Sequence, residues 1–212
     1  MEEVVGSSPI RSIESHPRVA VKRVPKPLLL LWPLLSPFFS TVLWAAVPLV
    51  IPLVAMQFTD EVNWSVDDFI VAWLLLAGTA LAYKLFTRRA GTFAYRFAVG
   101  IAVIASLLLM WVNLAVGIIG SEDNPANLMY FGVVALGLVG VTIVRLQPLG
   151  MARVLFAMAI AQALVPLVAL LIWKPPLTIE VLAILGVNAV FVVLFVASAL
   201  LFLGASRALA RA

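Results

Sequence analysis

Side chains able to carry chemistry are scarce in this chain. Its one histidine, His16, lies in a polar N-terminal stretch, and there is no cysteine. Thiolate nucleophiles, zinc–thiolate centres and iron–sulfur clusters have no ligands here, and no apolar segment offers an imidazole. Serines and threonines are present without a base spaced to activate them, and no glycine loop is built for phosphate. Catalysis needs a nucleophile, an acid–base pair or a metal held within reach of one another. No catalytic residue and no cofactor is therefore assigned, and enzymatic activity is not expected.

Two sets of polar residues remain. Asp60 and Glu61 fall in one short polar loop, Glu122 and Asp123 in another. Brought together, these four would form an oxygen-only cluster suited to calcium or magnesium, which makes them the candidate metal ligands. Helix starts compete for the acids. Ser65 and Asp68 have capping-box spacing with Asp67 beside them, Thr178 precedes Glu180, and Asn124–Pro125 behind Glu122–Asp123 reads as an N-cap and first helical position. Asp60 and Glu61 resist that account, because they follow a helix C-terminus, where negative charge is disfavoured. The second set is Asn113, Gln162 and Asn188, amides within long apolar runs. Such groups either tie helices together by hydrogen bonds or line a polar pathway for a neutral or cationic solute.

Only a membrane-embedded scaffold can position them. The chain has 212 residues, 64% hydrophobic and 11% charged, against about 45–50% and about 25% in soluble domains. A spanning helix needs about 20 apolar residues, and six segments qualify: 34–58, 67–86, 94–119, 127–145, 150–173 and 180–205. The loops between them are short, so successive helices are expected to be antiparallel neighbours. Pro33, Pro37, Pro48 and Pro52 interrupt the first segment, which predicts an interfacial piece around 25–36 followed by a kinked helix. The expected organisation is a flexible basic cytoplasmic tail over 1–27, a six-helix transmembrane domain over 28–206 and a short cytoplasmic C-terminus over 207–212. The run from Leu28 to Phe58 is too long for a signal-peptide core.

Charge fixes an orientation. Thirteen of the 14 Lys and Arg fall on the tails and alternate loops, with Lys174 the exception, and seven of the ten acids fall on the opposite side. The positive-inside rule then places both termini in the cytoplasm. Lys84, Arg96 and Arg153, near helix ends, reach the surface by snorkelling. The net charge of +4 is accounted for by orientation, and no nucleic-acid partner is expected.

Small residues recur at four-residue spacing in Ala98, Ala102 and Ser106 and in Gly78 with Ala82, while Gly132, Gly137 and Gly140 thin the fourth helix. That pattern lets helix backbones approach closely in lipid. Trp64, Trp111 and Trp173 suit an aromatic belt at the outer boundary.

The strings GIIGSEDNPANLMYFGV (117–133) and QPLGMARVLFAMAIAQAL (147–164) resemble stretches of small multi-span bacterial inner-membrane proteins of unassigned function. The resemblance covers about residues 60–172 and implies a bacterial membrane origin without implying an activity. The expected protein is an all-α membrane bundle with both termini inside, a non-catalytic accessory or scaffold that contacts the bilayer and a membrane-protein partner or a second copy. The alternative is a small transporter or channel with an acidic outer vestibule.

Overall fold

Residues Pro37–Ala212 form one compact unit, of which the computed structural model describes residues 38–88, 91–121, 123–173 and 178–211. The expected tail over 1–27 and the interfacial piece before residue 38 lie outside them. Six helices among the described residues are long and apolar enough to cross a membrane. They are α1 Phe38–Ala55, α2 Val66–Thr87, α3 Phe93–Ala115, α4 Pro125–Val144, α5 Pro148–Trp173 and α6 Ile179–Arg211.

α1 is interrupted as its prolines require. Around Pro48 the chain tightens into a 3-10 turn over Val47–Leu49, and the Ala46 N–H bonds to Leu43 O at 3.0 Å. The carbonyl of Val42, which a regular helix would pair with Ala46, instead accepts the Trp73 indole N–H from α2 at 3.2 Å. In hydrocarbon a freed carbonyl must find such a donor, because no water is there to supply one. Lys84 Nζ donates to Thr41 Oγ1 at 2.9 Å, and the Lys84 and Arg88 cations stand over the Phe38 ring. Lys84 therefore meets α1 as well as lying near the helix end.

Beyond the end of α1 at Ala55 rather than 58, two boundaries differ from the sequence expectation. α3 ends at Ala115 rather than 119, and Gly117 (φ 69°) and Gly120 (φ 71°) carry the chain through a left-handed loop. The cause is Asn127, whose Oδ1 accepts the N–H groups of Ile118 and Ile119 at 3.2 and 2.9 Å. Those backbone donors are taken by a later side chain instead of by the helix. At the other end, α6 continues to Arg211, past residue 205, where the sixth segment was expected to end. Its 33 residues extend about 50 Å at 1.5 Å per residue, well beyond a hydrocarbon core of about 30 Å.

The core belongs to the last four helices. α6 packs along both α5 and α3, α4 packs on α5, and α3 and α4 touch only lightly. One face of α6, with Asn188, Phe191, Phe195, Ser198, Phe202 and Ala205, is buried at helical spacing. Phe202 meets Tyr95 edge to face at 5.0 Å, and Ser198 Oγ donates to the Ala98 carbonyl at 2.7 Å, so small Ala98 brings α3 against α6. Gly140 of α4 has the same effect against α5: an added Cβ would stand 2.6 Å from Val154 Cγ1. α2 lies on α3, and α1 on α2. Buried residues make up 39% of the spanning windows of α3 and α5 and 22% of those of α4 and α6, but 11% in α2 and 6% in α1.

Charge segregates along this bundle. Lys84, Arg88, Arg96, Arg145, Arg153, Arg207 and Arg211 are near one end of their helices, where the Tyr95 hydroxyl also reaches Leu146 O at 2.8 Å. Asp60, Glu61, Asp67, Asp68, Asp123 and Glu180 are near the other, where Trp64 and Trp111 stand 5.8 Å apart. These are called the basic end and the acidic end below.

Candidate functional site

The acids at the acidic end are governed by local structure. Ser65 and Asp68 form the full reciprocal capping box at the start of α2, with Ser65 N donating to Asp68 Oδ2 at 2.7 Å and Asp68 N to Ser65 Oγ at 3.3 Å. Thr178 Oγ1 accepts the Val181 N–H at 3.5 Å, opening α6. Asn124 Oδ1 accepts the Ala126 N–H at 2.9 Å with Pro125 in the first turn, as its sequence suggested. The four candidate metal ligands fare differently. Asp60, Glu61 and Asp123 are exposed, and the Glu61 N–H turns back to Thr59 Oγ1. Glu122 lies outside the described residues. Among the described residues, no three His, Cys, Asp or Glu side chains come together in a way that would hold a metal.

The amides of the helix interiors form two layers. Gln162 on α5 and Asn188 on α6 meet: Gln162 Nε2 donates to Asn188 Oδ1 at 2.9 Å. Tyr130 Oη on α4 donates to the same oxygen at 3.1 Å, and Asn188 Nδ2 donates to the Ile184 carbonyl at 2.8 Å. Three helices are thus joined through one amide, and all three side chains are within 2% of full burial. Asn113 does not join them. Its Nδ2 donates to the Asn127 carbonyl at 3.3 Å, in a second layer nearer the acidic end. There Asn127 Nδ2 also donates to Ser121 O at 2.7 Å, completing its hold on the loop.

Asn127 and Tyr130 were not singled out by sequence reasoning. Both lie on one face of α4 at a spacing of three residues, among residues that read as cap and belt. The spacing was visible. The partners were not, since they lie 6 to 58 residues away in the chain.

Two buried oxygens, Asn113 Oδ1 and Gln162 Oε1, have no hydrogen-bond partner. Pro166 also has no N–H to offer the Gln162 carbonyl four residues before it. One turn toward the acidic end, Pro166 and Ile184 line a hollow of about 570 Å³ that also contains Asn124, Thr178 and Glu180. It stops short of the amides. Four cavities formed by the described residues, among them this hollow, have none of Asn113, Gln162 and Asn188 in their walls. The arrangement is chemically a hydrogen-bonded tie among packed helices. In comparisons with known proteins, no family, no curated protein and no solved structure matches this chain.

Proposed function

We propose that this is a non-catalytic integral membrane protein of a bacterial inner membrane, with both termini cytoplasmic, that serves as an accessory or scaffold subunit. Its docking side is the pair α1 and α2. The observation that carries the reading is the contrast in packing: α3 to α6 close around tied amides, whereas 6% and 11% of residues in the α1 and α2 windows are buried. A groove of about 1160 Å³ runs between α1, α2 and α3, with Trp44, Tyr83 and Phe97 in its wall. Small residues and open grooves let a neighbouring membrane helix approach closely, and van der Waals packing is what drives helix association in lipid.

Transport of a neutral or cationic solute would need an aqueous route past Gln162 and Asn188. The hydrogen bond between them and their burial favour the accessory reading. The test is native purification in mild detergent followed by mass spectrometry, combined with photo-crosslinking from Ile51 on α1 and from Leu138 on α4, both exposed. Adducts with another membrane protein or a second copy are expected from Ile51 and not from Leu138. A stable lone protomer without adducts would sink the proposal.

A further inference from the structure

We propose that the cleft between α2, α3, α4 and α5 seats one acyl chain of an anionic phospholipid whose phosphate rests among the arginines of the basic end. The cleft exists because α3 and α4 touch only lightly and because small side chains, Gly78 and Ala82 on α2 with Ala102 and Ser106 on α3, line it. Its volume is about 310 Å³, and Thr79 and Ser106 are the polar residues in its wall. Ser106 Oγ is already committed to the Ala102 carbonyl at 2.9 Å. A buried water needs two to four polar partners, so the space suits hydrocarbon. Leu74 and Leu138, each 57% exposed, stand at its rim and open it to the side of the bundle.

Length and charge narrow the occupant. Along α2 the wall runs from Leu74 to Phe86, twelve residues or about 18 Å at helical rise. That is close to one leaflet of a hydrocarbon core about 30 Å thick. On α4 and α5 the cleft lies in the half of the helix toward the basic end, and it reaches Phe86, Val141 and Met151 there, while on α3 it runs from Val99 to Met110. Arg88 follows Phe86 by two residues, Arg153 follows Met151 by two, and Arg145 follows Val141 by four; all three arginines are exposed. None of the described acids is at this end. Basic residues clustered between helices at a membrane surface select anionic headgroups, so the chain slot and the charge above it specify the two parts of one lipid.

The experiment is native mass spectrometry of the whole chain in micelles containing equal amounts of phosphatidylglycerol and phosphatidylcholine with identical acyl chains. One phosphatidylglycerol per chain is expected to persist as detergent strips the rest. Gly78→Leu fills the cleft, where nothing lies within 4 Å of an added Cβ, and should reduce retained lipid by about tenfold, the loss of about two buried CH₂ groups. Gly132→Leu, at a site equally open and outside the cleft wall, should retain lipid as the parent does. Arg145→Gln with Arg153→Gln changes exposed side chains only and should abolish the headgroup preference. Equal retention of both headgroups by the parent, or unchanged retention by the doubly substituted chain, overturns the proposal. So does lipid held by a folded Gly78→Leu variant as tightly as by the parent.

Discussion

Asn188 ties three helices of the bundle together, since its single Oδ1 receives donors from α4 and α5. Replacing it by leucine strands the Tyr130 hydroxyl and the Gln162 amide together. Interhelical hydrogen bonds in membranes average about 0.6 kcal/mol and reach about 1.7, so Asn188→Leu should lose about 1–2 kcal/mol. Gln162→Met removes one bond but also an oxygen that has no partner, and its cost should be under about 1 kcal/mol. Unfolding of both variants in micelles checks the order; a larger loss for Gln162→Met would refute the picture of Asn188 as the hub. Asn127 is predicted to matter more than either, because its Oδ1 holds the Ile118 and Ile119 N–H groups. Asn127→Ala should cost about 2–3 kcal/mol, the range expected when buried backbone donors lose their acceptor. Asn127→Asp, which keeps that oxygen but loses the donor to Ser121 O, should recover part of it.

Helix pairs test differently, through how a neighbour gives way. Gly137 and Gly140 both face α5 closely: an added Cβ would meet Met158 Sδ at 2.6 Å in the first case and Val154 Cγ1 at 2.6 Å in the second. Methionine is flexible and can swing aside, whereas valine is stiff at χ1. Gly140→Ala should therefore cost about 1–3 kcal/mol as an overpacked contact and Gly137→Ala less than about 1 kcal/mol. Equal losses in thermal unfolding would contradict that ranking. The α4–α5 turn stores strain instead, since Arg145 and Leu146 both adopt left-handed backbone (φ 51° and 63°). Arg145 is exposed, so Arg145→Gly should raise stability by about 0.5–1 kcal/mol. Elements of this kind mark how far sequence reasoning reaches. The spans and the caps at Ser65, Thr178 and Asn124 were legible because apolar length and capping act within a few residues. The end of α3 was not, because Asn127 captures the donors of Ile118 and Ile119 from a later element. Nor could spacing show that Gln162 would meet Asn188 while Asn113 would not. That depends on how each helix is rotated against its neighbours, which packing sets.

At the scale of the molecule, the separation of charge is the strongest organising feature. Two independent causes act on the same acids. Asp67, Asp68 and Glu180 stand in the first turns of α2 and α6, where the helix dipole favours negative charge, and those helix starts share the end that carries no described base. The arginines, by contrast, have no capping role that would require all of them at one end, so their placement is a signal of orientation. With no native cysteine, the orientation can be read from single cysteines placed at exposed Asp123 and exposed Arg207. A membrane-impermeant maleimide added to intact cells should modify the cysteine at 123 and leave that at 207 untouched until the membrane is opened. The reverse pattern would turn the bundle over. It would also move the lipid cleft, which lies toward the basic end, into the outer leaflet, so that labelling fixes which lipid pool the arginines can select from.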